Sequence, residues 1–268
     1  MTMALTAAPA GDRRARARIA VALLALLLLA VMAAALATGP YGLPAGRALA
    51  ILGDWLTGQP AADGTERIAL VDIRLPRLLL GALVGAALAV SGTMLQGLFR
   101  NPLADPGLVG VSSGAALGAV AAIITGAALL APIAAVLSLG ILPVAAFLGG
   151  FVTTLLLYAI ATRQGRTSVA TMLLAGIAIG AFSGAITSWL VFRSTDAQLR
   201  ELTFWTMGSL SGATWLKIAF AAPPILAVLA LSLVVARGLD ALVLGEAEAH
   251  HLGIDTERLK TVIVFAVA

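Results

Sequence analysis

The sequence predicts an all-α protein, a polytopic bundle of transmembrane helices, and three observations carry that prediction. Hydrophobic residues make up 60% of the 268 positions against 11% charged, and the mean hydropathy is +1.03. Uncharged runs long enough to cross a hydrocarbon core of roughly 30 Å recur along the chain. Those runs are continuous and do not alternate with period two, which excludes a transmembrane β-barrel.

The first span runs from Ile19 to Ala37 behind Arg13, Arg14, Arg16 and Arg18. A basic start, an apolar middle and a small-residue end outline a signal peptide, but the run exceeds a usual apolar region. It is therefore expected to stay uncleaved, with residues 1–18 as a cytoplasmic tail held there by the arginines. Residues 38–68, with Gly, Pro, Asp54, Asp63 and Glu66, read as an external loop. A second run, about 69–99, opens on IRLPR, and RNPLADPG at 100–107 returns the chain. The third span, about 108–130, is rich in small residues that let helices approach closely. Pro132 opens a fourth, about 132–161, closed by TRQGR with Arg163 and Arg166.

A fifth span covers about 169–192 and leads into FRSTDAQLRELTFW, read as a polar external connection. The sixth, about 214–236, ends at Arg237. Residues 238–260 follow as a cytoplasmic loop, and TVIVFAVA at 261–268 starts a seventh span. The expectation is one membrane domain over 1–268, with about six complete spans and part of another.

Several chemistries are excluded. The pI near 10.3 reflects arginines in loops, where they set orientation and touch headgroups, so no nucleic-acid partner is expected. Zero cysteines exclude disulfides and thiolate sites. Lys217 and Lys260 are the only lysines and neither follows a phosphate-cradling loop, so any nucleotide must be bound by another chain. GVSSG at 110–114 matches the letters of a nucleophile elbow, but with Ser112 and Ser113 on a membrane helix and no histidine near, helix packing explains it better.

One stretch stands apart. LGEAEAHHLGIDTERLK, residues 244–260, holds both histidines and four of the thirteen acids. Glu246 and His250 share a helix face at i,i+4, yet a metal site needs three or four ligands and adjacent histidines diverge, so no metal site is expected. The spacing allows two helical turns over 246–252 stopped by Gly253, then a second short helix over 256–260 capped by Asp255. Such a pair suits docking of a partner; a solvated loop is the plain alternative. Arg74 and Arg77, at i,i+3 with Pro76 in a first helical turn, either anchor the helix at the interface or attract acids of an external protein.

At this point the residues match a family. IRLPRLLLGALVGAALAVSGTMLQGLFRNPLADPGLVGVSSGAALGAV, residues 73–120, closely resembles the FecCD-type permease subunits of ABC importers for iron-siderophores, heme and cobalamin. LGEAEAHHLGIDTERLK and FWTMGSLSGATW, residues 204–215, resemble the same family in the same order. The resemblance implies a permease homodimer, not itself an enzyme, working with two cytoplasmic ATPases and a periplasmic binding protein in the inner membrane. It implies that the 244–260 segment, through Glu246, His250, His251, Leu252, Gly253 and Asp255, meets the ATPase. Arg74 and Arg77 match docking arginines, while Asn101, Pro102 and Leu103, with Val169 and Ala170, match the cytoplasmic gate.

The external segment looks most like the heme branch, so heme is the expected cargo, with Arg193 or Arg200 receiving its propionates. Ferric siderophore or cobalamin is the alternative, and no cofactor is expected to reside in the chain. The family has about ten spans, so the resemblance implies a C-terminally shortened chain impaired in transport. A secondary transporter is the rival class, but acids are nearly absent from the spans; an intramembrane hydrolase acting through Ser112 or Ser113 is the third.

Overall fold

In hydrocarbon an apolar run must pair its own backbone N–H and C=O groups, and the α-helix does so within one segment. The computed structural model follows this rule and describes residues 13–39, 42–59, 64–125 and 140–268. The chain packs as two units, Met1–Leu79 and Leu80–Ala268.

The first unit opens with α1 (Arg13–Ala37), which exposes Leu23, Leu24, Leu26 and Leu29. A helix apolar all round and uncovered is a lipid-facing one. The expected loop over 38–68 is corrected: α2 (Ala45–Thr57) lies inside it, burying Ala48 and Ile51 on one face. Gly58 ends it at φ 72°, a left-handed turn that suits glycine. Next comes α3 (Gly64–Phe99), which starts earlier than expected and whose residues from Leu80 on belong to the second unit. Arg47 Nε pairs with Glu66 Oε2 at 2.9 Å, tying the new helix to the start of α3.

Pro76 is therefore not in a first helical turn. It sits within α3 directly after a π-helical stretch, Ile68–Arg74, where the Leu75 N–H donates to the Leu70 carbonyl. A proline inside an α-helix lacks an N–H and its ring collides with the carbonyl four residues back. The π turn directly precedes Pro76, and Leu70 and Val71 stay fully buried.

The second unit holds α4 (Val111–Thr125), α5 (Ile141–Ala161), α6 (Val169–Phe192) and α8 (Trp215–Leu244). Between the last two lies α7 (Asp196–Met207), so the expected polar connection is a helix. Thr195 caps it in a capping box with Gln198. Gln198 Nε2 also donates to the carbonyls of Ile123 and Ile124 of α4, the latter at 3.2 Å.

Five helices among the described residues are long and apolar enough to span, α1, α3, α5, α6 and α8. The sequence expects six. The difference is α4, described for only 15 residues; the expected end of its span and the opening of the next at Pro132 lie outside the described residues. Helix α8 carries Pro223 and Pro224 and runs past Arg237 to Leu244, into what the sequence reads as loop.

Helices α4 and α5 cross at near backbone contact. A Cβ on Gly114 would strike Thr153, one on Gly118 the Ala145 carbonyl, and one on Gly149 the Gly114 carbonyl. This is the small-residue packing expected for the third span. The Thr153 and Thr154 hydroxyls are buried and donate back to the Gly150 carbonyl at 2.8 and 2.9 Å.

Candidate functional site

The polar stretch folds as its local grammar dictates. Gly245 breaks α8 at φ 128°, and α9 (Glu246–His251) follows with Glu246 and Glu248 in its first turn, where carboxylates favour the helix dipole. Gly253 takes φ 82° and its N–H donates to the His250 carbonyl at 2.9 Å. Asp255 then caps α10 (Thr256–Val267), accepting from the Arg258 N–H at 3.0 Å. The second helix is longer than the expected 256–260 and continues into the apolar residues without a break.

What the two helices hold is a buried lysine. Lys260 is 1% exposed, and its Nζ donates to Glu246 Oε2 at 2.8 Å, Glu257 Oε1 at 3.0 Å and the Thr167 carbonyl at 2.9 Å. Thr167 belongs to a two-stranded hairpin, β1 (Thr162–Arg163) and β2 (Arg166–Thr167), between α5 and α6. Its N–H donates to Glu257 Oε2 at 2.7 Å. Tyr158 of α5 adds a hydroxyl contact to Thr261 at 3.0 Å.

Burial works to raise the pKa of Glu257, but the hydrogen bonds from Lys260 and from the Thr167 N–H, with the ammonium charge, outweigh it. Its carboxyl is held below the usual glutamate range.

Around this node lies an apolar cluster. It takes in Leu98, Phe99 and Ala104 beside the 101–103 turn, Leu157 and Ala161 of α5, and Met172 and Ala175 of α6. Leu242, Ala249, Leu259 and Ile263 join it from α8, α9 and α10. One end of the unit thus gathers both segments matched to the gate and the segment matched to the ATPase contact.

Within that end the expected site residues divide. His250, His251, Leu252, Gly253 and Asp255 are exposed, and Glu246 joins Lys260. Asn101 and Pro102 are exposed, Asn101 Oδ1 accepts from the Leu103 N–H at 3.0 Å, and the Leu103 side chain is 84% exposed. Val169 is half-buried against the cluster, whereas Ala170 is exposed. Arg193 is exposed with its guanidinium over the Trp189 ring at 5.5 Å, and Arg200 is exposed on α7. In the first unit Arg74 is half-buried and Arg77 exposed.

Sequence reasoning missed the roles of Thr167, Glu257 and Lys260. The i,i+3 spacing of Glu257 and Lys260 is a signal for their pair; nothing local points to Thr167, 93 residues from Lys260. Ser112 is exposed and Ser113 half-buried on α4, after a 3-10 turn, Pro106–Val109, and not after a strand. That is not the setting of a nucleophile elbow.

Comparison with known proteins gives consistent likenesses. The chain is 47% identical over 190 residues to the hemin transport system permease protein HmuU of Yersinia pestis, covering 71% of this chain and 55% of that one. It is 45% identical over 200 residues to the cobalamin import system permease protein BtuC of Halobacterium salinarum, covering 75% and 52%. The chain therefore spans little more than half the length of these relatives. A solved structure described as an inward-facing metal-chelate type ABC transporter superposes with a TM-score of 0.74 at 31% identity, covering 91% of this chain and 70% of that one. With the family model for the FecCD transport family matching residues 23–268, the chain belongs to that family.

Proposed function

We propose that this chain is the membrane-spanning permease part of an ATP-driven importer in the cytoplasmic membrane, working as one permease domain paired with a second copy. A separate ATPase meets it at α9 and the start of α10, and a binding protein delivers cargo at the opposite face. The N-terminus and the 244–260 segment lie in the cytoplasm, as the arginine distribution favours. The observation that carries the reading is the folding of the one densely polar segment into two capped helices tied at Lys260 to the 162–167 hairpin. A solvated loop would leave Lys260 in water.

In this reading Asn101, Pro102 and Leu103, with Val169 and Ala170, line the cytoplasmic gate, and Arg74 and Arg77 face the binding protein. ATP binding shifts the pair of permeases between outward- and inward-open states because the ATPase contacts the two states differently. The cargo is heme, supported by the resemblance of the 196–215 segment, together with 100–120, to the heme branch and by the HmuU likeness. Cobalamin is the second reading, favoured by the BtuC likeness at similar identity; a ferric siderophore is the third.

The test is uptake into proteoliposomes holding the chain with its ATPase and binding protein, comparing heme, a ferric siderophore and cobalamin with and without internal ATP. ATP-dependent uptake of heme alone supports both function and cargo. Uptake that follows an ion gradient without ATP overturns the importer reading.

A further inference from the structure

We propose that Lys260 is a positioning residue, fastening the hairpin that leads into α6 to the α9–α10 element so that the two move as one body. What that motion accomplishes rests on the function proposed above; the fastening itself does not.

A lysine has three N–H donors and no acceptor, and all three here are used. Their partners come from three places in the chain: Glu246 opening α9, Glu257 in α10 and the Thr167 carbonyl of the hairpin. Lysine is almost never fully buried unless paired, and at 1% exposure this one is fully buried.

The hairpin is gripped twice at one residue. Thr167 receives Lys260 at its carbonyl and gives its N–H to Glu257. Ser168, the next residue, caps α6 by accepting from the Thr171 N–H at 3.3 Å, and its own N–H donates to the Ala161 carbonyl at 3.0 Å. Val169 and Ala170 come directly afterwards. Directional bonds to backbone atoms fix position in a way that the surrounding apolar contacts, which tolerate sliding, do not. A buried ion pair can also be no more than a structural survivor, so the test must separate holding from positioning.

Because the chain has no cysteine, nitroxide labels can be placed cleanly at Arg163→Cys and His251→Cys, both exposed. Double electron–electron resonance in nanodiscs should give one narrow distance with Lys260 present and a broad distribution in Lys260→Met. Glu257→Gln, which disturbs the grip while keeping the lysine, should broaden it to a lesser degree and serves if Lys260→Met does not fold. A distribution that stays narrow in the variants overturns the proposal.

With the ATPase and binding protein added, uptake per ATP hydrolysed should fall about tenfold in Lys260→Met while the ATPase stays bound, a loss in the usual range of coupling energies. Uptake and bound ATPase falling together would mean that Lys260 only holds the fold, and would overturn the positioning role. If the unsubstituted chain neither binds the ATPase nor transports, the proposed function fails, and the label distances still decide the fastening.

Discussion

Arg74 Nη1 donates a 2.6 Å hydrogen bond to the carbonyl of Leu36, near the C-terminal end of α1. The last carbonyls of a helix lack intrahelical partners and carry partial negative charge, so a guanidinium there both pairs and neutralises them. The guanidinium also lies where a Cβ on Gly39 would be, and Gly39 turns the chain there at φ 159°.

The first prediction separates the two arginines expected to act alike. Arg74→Ala should destabilise the protein by about 1–2 kcal/mol, the scale of a lost charge-assisted hydrogen bond at a helix end. For Arg77→Ala, at an exposed position, the expected loss is in binding of the proposed periplasmic partner. Thermal melting and a binding titration on both variants check this. Equal melting losses would mean that Arg77 is held as structurally as Arg74.

The α4–α5 crossing yields the second prediction. Gly118→Ala would push a methyl into the Ala145 carbonyl and to 3.2 Å from the Gly149 Cα, both backbone atoms that cannot rotate away. The expected cost is about 1–3 kcal/mol, typical of overpacking. Gly92→Ala in α3 meets nothing within 4 Å and should be neutral or stabilising by up to about 1 kcal/mol through helix propensity. Parallel melting curves in one detergent decide it, and a harmless Gly118→Ala would refute the close crossing.

The node predicts a pH dependence whose sign follows from Glu257. Its carboxyl titrates lower folded than unfolded, so its stabilisation is complete above the unfolded glutamate value of about 4.3. It is lost as pH falls through the lowered folded value, because the unfolded chain then binds the proton first. The stability gap between the unsubstituted protein and Glu257→Gln should therefore be constant near neutrality and close in acid. A gap that widens on acidification would show that Glu257 is not held as a carboxylate.

Legibility in the sequence follows the range of the interactions involved. The end of α9 at Gly253 and the cap at Asp255 were readable because each is decided by a few neighbouring residues. The capping box at Thr195 and Gln198 was equally local, but the mixture of aromatic and charged residues behind it hid α7. Helix α2 was masked by the glycines and prolines around it, and its pattern matters only once Ala48 and Ile51 have something to bury against. The π turn at Ile68–Arg74 is a matter of backbone hydrogen bonding, and residue periodicity carries no such signal. The contact between Thr167 and Lys260 is purely tertiary.

The last prediction concerns cargo. On α7, Arg200, Phe204 and Met207 fall at i, i+4 and i+7, one face of the helix, and Phe204 and Met207 are 71% and 76% exposed. Arg193 lies over the Trp189 ring, an arrangement that stacks a planar cation on an aromatic face. Arg193 thus adjoins an aromatic ring and Arg200 shares a helix face with one, the chemistry that suits a flat apolar ring edged with carboxylates. If heme is the cargo, Arg193→Ala with Arg200→Ala should cut its uptake by about tenfold or more, since loss of a charge-assisted hydrogen bond costs about 1.5–3 kcal/mol. Cobalamin, whose corrin carries amides in place of propionates, should be taken up as before if it is transported at all. Arg193→Lys should recover only part of the loss, because lysine keeps the charge but not the stacking plane. Equal losses for both cargoes would mean that the arginines shape the mouth of the pathway without reading an acid, and the argument for heme would fall with them.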